Sequence, residues 1–229
     1  MFSVPSGIKV DPVAVRSEGL KVISEFCQNT FVMVIVGPPG TGKTTIIQSL
    51  ITNPLLYYKK FNRILFLTPS PMPGIELISG ENHYPTVKVS WLLEQLEKEN
   101  AIGETDDSIR QVLIVIDDLV SDIKKLSGDD NFIRLFYNRR HYLPHIHIHY
   151  IITTQKWNMI PMCLRATMTM LISFAVSTKE WVTIESEVRI ENIKLLTKAL
   201  PLIWNVKGNF LAVDVVNNKI YKNFDKLLL

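Results

Sequence analysis

The sequence predicts an α/β fold, with a largely parallel five-stranded core sheet sandwiched by helices and a C-terminal β-hairpin. Three observations carry that expectation. Five apolar runs of strand length, at Thr30–Val36, Arg63–Leu67, Val112–Ile116, His147–Thr154 and Met168–Val176, alternate with helix-compatible stretches, the pattern that builds parallel sheets. The run before Asp117 is continuously apolar, as in a strand covered on both faces. The first run leads directly into GPPGTGKT, Gly37 to Thr44.

That octapeptide is the complete P-loop pattern G-x-x-x-x-G-K-[ST] in the setting it needs, with a strand before it and Thr44-Thr45-Ile46-Ile47-Gln48-Ser49-Leu50 after. Gly37, Gly40 and Gly42 allow a tight turn that aims backbone N–H groups at phosphate oxygens. The helix beyond adds its positive amino end to the same point. The nucleotide cradle is assigned to Gly37, Pro38, Pro39, Gly40, Thr41, Gly42, Lys43, Thr44 and Thr45. Lys43 is expected to reach the β- and γ-phosphates of ATP, and the Thr44 hydroxyl to coordinate Mg²⁺.

At 229 residues, 47% hydrophobic and 21% charged, the chain has material for a sizeable core. It reads as one domain over 1–229, with an arm and helix over 1–29, a core over 30–200 and a hairpin over 201–229. The net charge of +3 is compatible with a nucleic-acid partner without arguing for one. Cys27 and Cys163 share no metal-like spacing and read as free thiols in a reducing compartment. Met1–Val10 does not resemble a signal peptide, and the longest apolar run is too short for a transmembrane segment, so a soluble protein is expected.

In chain order, a helix is expected over Val13–Cys27, with Val15, Leu20, Ile23 and Phe26 near helical spacing. Asn53-Pro54 ends the helix after the P-loop. The prolines of Thr68–Gly74 make a loop at the carboxyl end of the second strand. Thr86–Val89 reads as a short strand. Ser90 then caps a helix that turns Leu92, Leu93 and Leu96 inward and Glu94, Glu97, Lys98 and Glu99 outward. Gly103–Ser108 reads as a polar break. Asp129–Tyr142 suits a helix with Phe132, Ile133, Leu135 and Phe136 inward. His145, His147 and His149 share a strand face, but with no cysteine or carboxylate beside them they read as strand residues rather than a zinc site. Met162–Ala166 is a helical turn, Ile190–Leu200 a helix ended by Pro201, and Asn217-Asn218 a hairpin turn.

The second half of the site is Val112-Leu113-Ile114-Val115-Ile116-Asp117-Asp118. Two acids at the tip of a buried strand downstream of a P-loop form the Walker B pattern. Asp117 is expected to hold Mg²⁺ through its water shell, and Asp118 to polarise the attacking water. The next strand ends in Thr153-Thr154-Gln155. P-loop ATPases that do mechanical work insert an extra strand between the P-loop and Walker B strands, with a polar residue at its tip near the γ-phosphate. Gln155 has that place, so the expected architecture is RecA/ASCE-like.

GPPGTGKT, LIVIDD, YNRRH, the strand ending in ITTQ, IPMCLRATMTMLISF and FLAVDVVNNKIYKNF together cover most of the chain from Phe31 onward. In these segments it resembles the FtsK/HerA-like genome-packaging ATPases of double-stranded DNA viruses, as in poxviruses and other large DNA viruses. One departure from the wider superfamily is Asp118, where many relatives carry glutamate; the shorter side chain requires a closer water. The resemblance implies a homo-oligomeric ring that hydrolyses ATP to translocate double-stranded DNA into a capsid. It places the protein in the host-cell cytoplasm at the virus assembly site, and in the virion, with capsid or portal-vertex proteins as partners. It also implies an arginine donated by a neighbouring subunit. Arg139, Arg140 and Arg165 are the candidates, with Arg140 and Arg165 favoured by family position. Ser70–Gly80 and Lys124-Lys125 are candidate DNA-contacting loops. The alternatives are an AAA+ remodelling ATPase, which needs a helical lid after the fifth strand, and a P-loop nucleotide kinase, which needs an arginine-rich substrate lid. A non-hydrolysing nucleotide binder would have no use for Lys43, Thr44, Asp117 and Asp118 together.

Overall fold

A nine-stranded sheet runs through the described residues of this computed structural model, which are 30–53, 57–69, 83–190, 193–223 and 225–227. The strands are β1 (Val32–Val36), β2 (Arg63–Leu67), β3 (His83–Tyr84), β4 (Arg110–Ile116), β5 (Ile146–Thr154), β6 (Met170–Phe174), β7 (Phe210–Asp214), β8 (Lys219–Lys222) and β9 (Asp225–Leu227). Their order across the sheet is β3-β2-β4-β5-β1-β6-β7-β8-β9. The five predicted core strands lie side by side and all pair in parallel. Strand β5 separates the P-loop strand β1 from the Walker B strand β4, as the insertion argument requires. The β7–β8 hairpin is antiparallel and extends the same sheet from β6, with β9 as a further, unpredicted strand.

The helices are α1 (Lys43–Thr52), α2 (Val89–Asp106), α3 (Val120–Lys125), α4 (Asp130–Tyr137), α5 (Met162–Arg165), α6 (Thr178–Glu187) and α7 (Ile193–Ile203). Because side chains alternate along a strand, β1 feeds two cores at once. Val32, Val34 and Val36 join Leu96 of α2, Phe132 and Phe136 of α4, Trp181 of α6 and Leu196 of α7. Met33 and Ile35 join Ile46, Ile47 and Leu50 of α1 on the opposite face. Among the described residues no helix is long and apolar enough to cross a membrane.

Several local expectations need correction. The short strand is His83–Tyr84 rather than Thr86–Val89, and α2 begins at Val89 without a side-chain cap from Ser90. Gly103 does not break α2. A Cβ there would lie 2.8 Å from both His145 Cβ and the Ser108 carbonyl oxygen, so the glycine permits close packing inside the helix. Helix α4 starts where Asp129 accepts the Phe132 N–H at 3.0 Å and ends at Tyr137, well short of Tyr142. Pro201 lies within α7, whose apolar face of Leu196, Leu200 and Ile203 holds the last turn onto the core. Helix α6 was not expected at all, although Ser177 caps it by accepting the Glu180 N–H at 3.2 Å, an S-x-x-E signature. The proposed Val13–Cys27 helix and the loop from residue 70 onward lie outside the described residues.

Candidate nucleotide site

The site forms at the carboxyl edge of the sheet, where β1, β4 and β5 end together. Gly37 leaves β1 and donates its N–H to the Thr154 carbonyl at the tip of β5, at 3.1 Å. A Cβ on Gly37 would lie 2.7 Å from Phe174 Cβ, so this glycine lets the loop sit directly against β6. Gly40 and Gly42 have φ of 69° and 103°, values that side-chain-bearing residues rarely hold. Gly42 is the N-cap of α1, and no acidic residue in the first turn offsets the helix's positive end. Pro38, Pro39 and Gly40 are exposed along the rim, while Thr41 and Thr45 are half-buried. The Thr41 hydroxyl donates to the Pro38 carbonyl at 2.8 Å.

Lys43 lies across this loop, its Nζ donating to the carbonyls of Gly37 at 2.7 Å and Pro38 at 2.9 Å. Burial pulls its pKa down, and the carboxylates of Asp117 and Asp118 oppose that shift. Asp117 is buried and accepts hydroxyl hydrogen bonds on both oxygens, from Thr153 at 2.5 Å and Thr44 at 3.1 Å. Burial pushes its pKa up against those two bonds. Asp118 is exposed, with its backbone in the left-handed region at φ 56°. Its N–H reaches Thr153 Oγ1 at 3.1 Å, and its Oδ1 accepts from the Gln155 amide at 3.2 Å. Thr154 shapes the turn that presents Gln155, donating to the Lys156 carbonyl at 2.7 Å and accepting the Lys156 N–H at 3.2 Å.

The structure thus brings Lys43, Thr44, Asp117, Asp118 and Gln155 to one edge. A hydroxyl and a carboxylate only 3.1 Å apart, Thr44 and Asp117, are hard oxygen donors of the kind that suits Mg²⁺. The two arginines stand elsewhere. Arg140 Nε donates to Thr30 Oγ1 at 2.6 Å, ahead of β1. The P-loop leaves the other end of that strand, roughly 17 Å further on at about 3.3 Å per residue. Arg165 pairs with Glu187 at 2.7 Å and lies over the Trp157 ring, with 12% side-chain exposure. Arg139 is half-buried, and burial together with Arg140 lowers its pKa.

Two contributors escaped the sequence reading. Thr153 appeared there as a polar strand end, and Phe174 as one apolar residue among many. The signal for Thr153 was a hydroxyl residue interrupting an apolar run one strand away from two aspartates. The histidines form no metal site among the described residues. His149 packs against Phe31 and Phe61, with Nε2 2.9 Å from Gln111 Oε1, and burial brings its pKa down to about 3.

The model of the family described as Poxvirus A32 protein matches residues 23–227. Among solved structures, the genome packaging NTPase B204 of Sulfolobus turreted icosahedral virus 2, in complex with ATP-gammaS, superposes with a TM-score of 0.60. It is 16% identical, over 87% of this chain and 98% of that one. ATPases 2 and 3 of Thermomonospora curvata EccC give a TM-score of 0.52 at 12% identity, over 87% of this chain and 37% of that one. At such identities the likeness establishes the fold. Among curated proteins, Regulator of nonsense transcripts 1 of Dictyostelium discoideum is 38% identical over 68 residues, 30% of this chain. The match spans 5% of that protein's length.

Proposed function

The chain belongs to the poxvirus A32 protein family, and on that premise we propose that it is the ATPase that drives double-stranded DNA into a viral capsid. The observation that carries this reading is the convergence at one sheet edge of a P-loop, a paired-aspartate strand tip and a glutamine on the strand between them. The similarly folded B204 of Sulfolobus turreted icosahedral virus, described as a DNA-packaging ATPase, lends the reading its DNA. The helices that follow β6 lead back into the same sheet through β7, so among the described residues no separate helical lid of the AAA+ kind follows the fifth core strand.

In this reading the backbone N–H groups of Gly40 to Thr45 receive the ATP phosphates, and Lys43 exchanges its two carbonyl partners, Gly37 and Pro38, for β- and γ-phosphate oxygens. Thr44 and Asp117 would hold Mg²⁺, which would supply neutralisation of charge on the phosphates. Asp118 takes the hydrogen bond of the attacking water and acts as its general base. Gln155 is close enough to Asp118 to register the γ-phosphate and the water together. The stabilising cation for the departing phosphoryl group comes from a second subunit. Arg140, at the opposite edge from its own P-loop, fits that role in trans, and Arg165 would have to leave Glu187 to do so. A homo-oligomeric ring, acting at the virus assembly site in the host cytoplasm and meeting capsid proteins there, completes the proposal.

Phosphate release with and without double-stranded DNA tests the activity; DNA that leaves the rate unchanged would count against a DNA-driven motor. Mixing tests the shared site. A Lys43→Ala subunit retains Arg140, and an Arg140→Ala, Arg165→Ala subunit retains its P-loop, so two inactive proteins should regain hydrolysis when combined. No recovery in mixed rings verified by tagged pull-down would place those arginines outside trans catalysis.

A further inference from the structure

We propose that Thr153 is the positioning residue of the hydrolytic pair, one hydroxyl that fixes both the carboxylate of Asp117 and the backbone of Asp118. The inference rests on the ATPase reading above and deepens it. Thr153 is 1% exposed and pairs with Ile35 of β1, so its position is set by the centre of the sheet rather than by a loop. Strand β5 lies between the two strands whose tips carry the site, and Thr153 is where it touches the Walker B tip.

The hydrogen-bond directions are determined. A threonine hydroxyl has one proton and two lone pairs. The partner at 3.1 Å is the Asp118 N–H, which can only donate, so Thr153 Oγ1 accepts there. Its single proton is then directed to Asp117 Oδ1 at 2.5 Å. Thr44 donates to the other oxygen, Oδ2, at 3.1 Å. Two neutral hydroxyls therefore orient Asp117 from opposite sides without neutralising it. The same oxygen supports Asp118 in a left-handed backbone conformation, φ 56°, that non-glycine residues seldom hold. Were that N–H released, the backbone would be free to relax, carrying the Asp118 carboxylate away from Gln155. One buried hydroxyl thus keeps the metal-binding acid and the water-polarising acid in fixed relation.

Thr153→Val keeps the shape and removes both hydrogen bonds, and Thr153→Ser restores both while losing a methyl. Binding of a fluorescent ATP analogue, with and without Mg²⁺, is measured alongside turnover. Thr153→Val should bind the metal-free analogue within about 2-fold of wild type, lose the gain that Mg²⁺ confers, and turn over about 10²-fold more slowly, the scale of a roughly 1 Å misplacement. Thr153→Ser should recover both the Mg²⁺ gain and the turnover. A valine variant with wild-type Mg²⁺ dependence and turnover overturns the proposal, as does a serine variant no better than valine. Should the valine variant fail to fold, Thr153→Ser against Thr153→Cys makes the same comparison, because a thiol is a weak donor and acceptor. In that case an active cysteine variant overturns the proposal. If wild type binds Mg²⁺ and nucleotide but never hydrolyses it, the ATPase reading fails, and the Mg²⁺-dependent binding still decides the role of Thr153.

Discussion

Two carboxylates are buried to nearly the same extent at opposite edges of the sheet, Asp117 at 8% exposure and Glu99 at 5%. Their surroundings differ in kind. Glu99, on α2 beside the amino end of β4, is closed by Arg110 Nε at 2.7 Å, with Arg63 Nε at 3.8 Å adding charge. Asp117, beyond the carboxyl end of β4, has two hydroxyls and, among the described residues, no cation within ion-pair distance. Neutral donors orient a carboxylate while leaving its charge available; guanidinium groups use that charge up. Burial of an acid therefore does not by itself mark a site. What distinguishes Asp117 is that, among the described residues, its negative charge is closed by no ion pair and meets Lys43 only at longer range.

The comparison can be broken most forcefully at the carboxyl edge. Lys43→Ala removes the cation that would meet the β- and γ-phosphates, and phosphate release should fall by at least about 10³-fold, the upper end for one lost electrostatic contact. Wild-type release by this variant would remove the nucleotide-site assignment. Asp118→Asn comes next, with turnover down by roughly 10²-fold and ATP affinity near normal, since shape and hydrogen bonding persist while the base is lost. Calorimetric binding beside a turnover assay separates the two, and an unchanged rate would direct the search for the base elsewhere.

At the amino edge the same kind of substitution should act on stability alone. Glu99→Gln takes from Arg110 its close charge partner and leaves it only the longer pair with Asp106 at 3.9 Å. The cost belongs toward the lower end of roughly 3–5 kcal/mol for a broken buried pair, because Arg110 retains 17% side-chain exposure. For a chain of this size each kcal/mol moves Tm by about 2–4 °C, so the melting curve should shift visibly. Turnover measured well below the transition should match wild type. Lost turnover in a folded Glu99→Gln protein would tie the amino edge to the chemistry and dissolve the distinction.

Glu99 also shows where sequence reading reached its limit. The five core strands and the P-loop announced themselves because an apolar run and a phosphate loop are local patterns, complete within a few residues. The placement of β5 between β1 and β4 was legible because Gln155 followed such a run. Glu99 was assigned to solvent because three charged neighbours, Glu94, Glu97 and Lys98, surround it in sequence; its partners Arg63 and Arg110 arrive from two strand ends and are invisible to helical periodicity. Thr153 was overlooked for the same reason, since its importance lies in Asp117 and Asp118, 36 and 35 residues away. Helix α6 was missed despite a local signal, its Ser177 cap, because Trp181 and Ile184 alone make a thin apolar stripe.

The smallest expected effect tests the claim about Asp117 most directly. Burial raises its pKa above the carboxylate's ordinary 3.8, so the folded protein holds a proton on this group more tightly than the unfolded chain does. With more protons bound in the native state, stability contributed by this group falls as pH rises from about 3.8 through the raised folded value. Asp117→Asn keeps an acceptor for Thr153 and removes the charge. The variant should therefore be more stable than wild type at pH 8, and the advantage should shrink as pH falls and be gone below the ordinary carboxylate value. Urea midpoints of both proteins at several pH values give the difference, in which all other titrating groups cancel. A saturating Mg²⁺–ATP mixture at pH 8 should reverse the ranking, because ligand that binds the native wild type stabilises it by mass action. A stability gain that is independent of pH would mean that the buried charge of Asp117 is not its source, and one that survives the ligand unchanged would mean that Asp117 takes no part in holding Mg²⁺–ATP and that the two edges of the sheet are not so different after all.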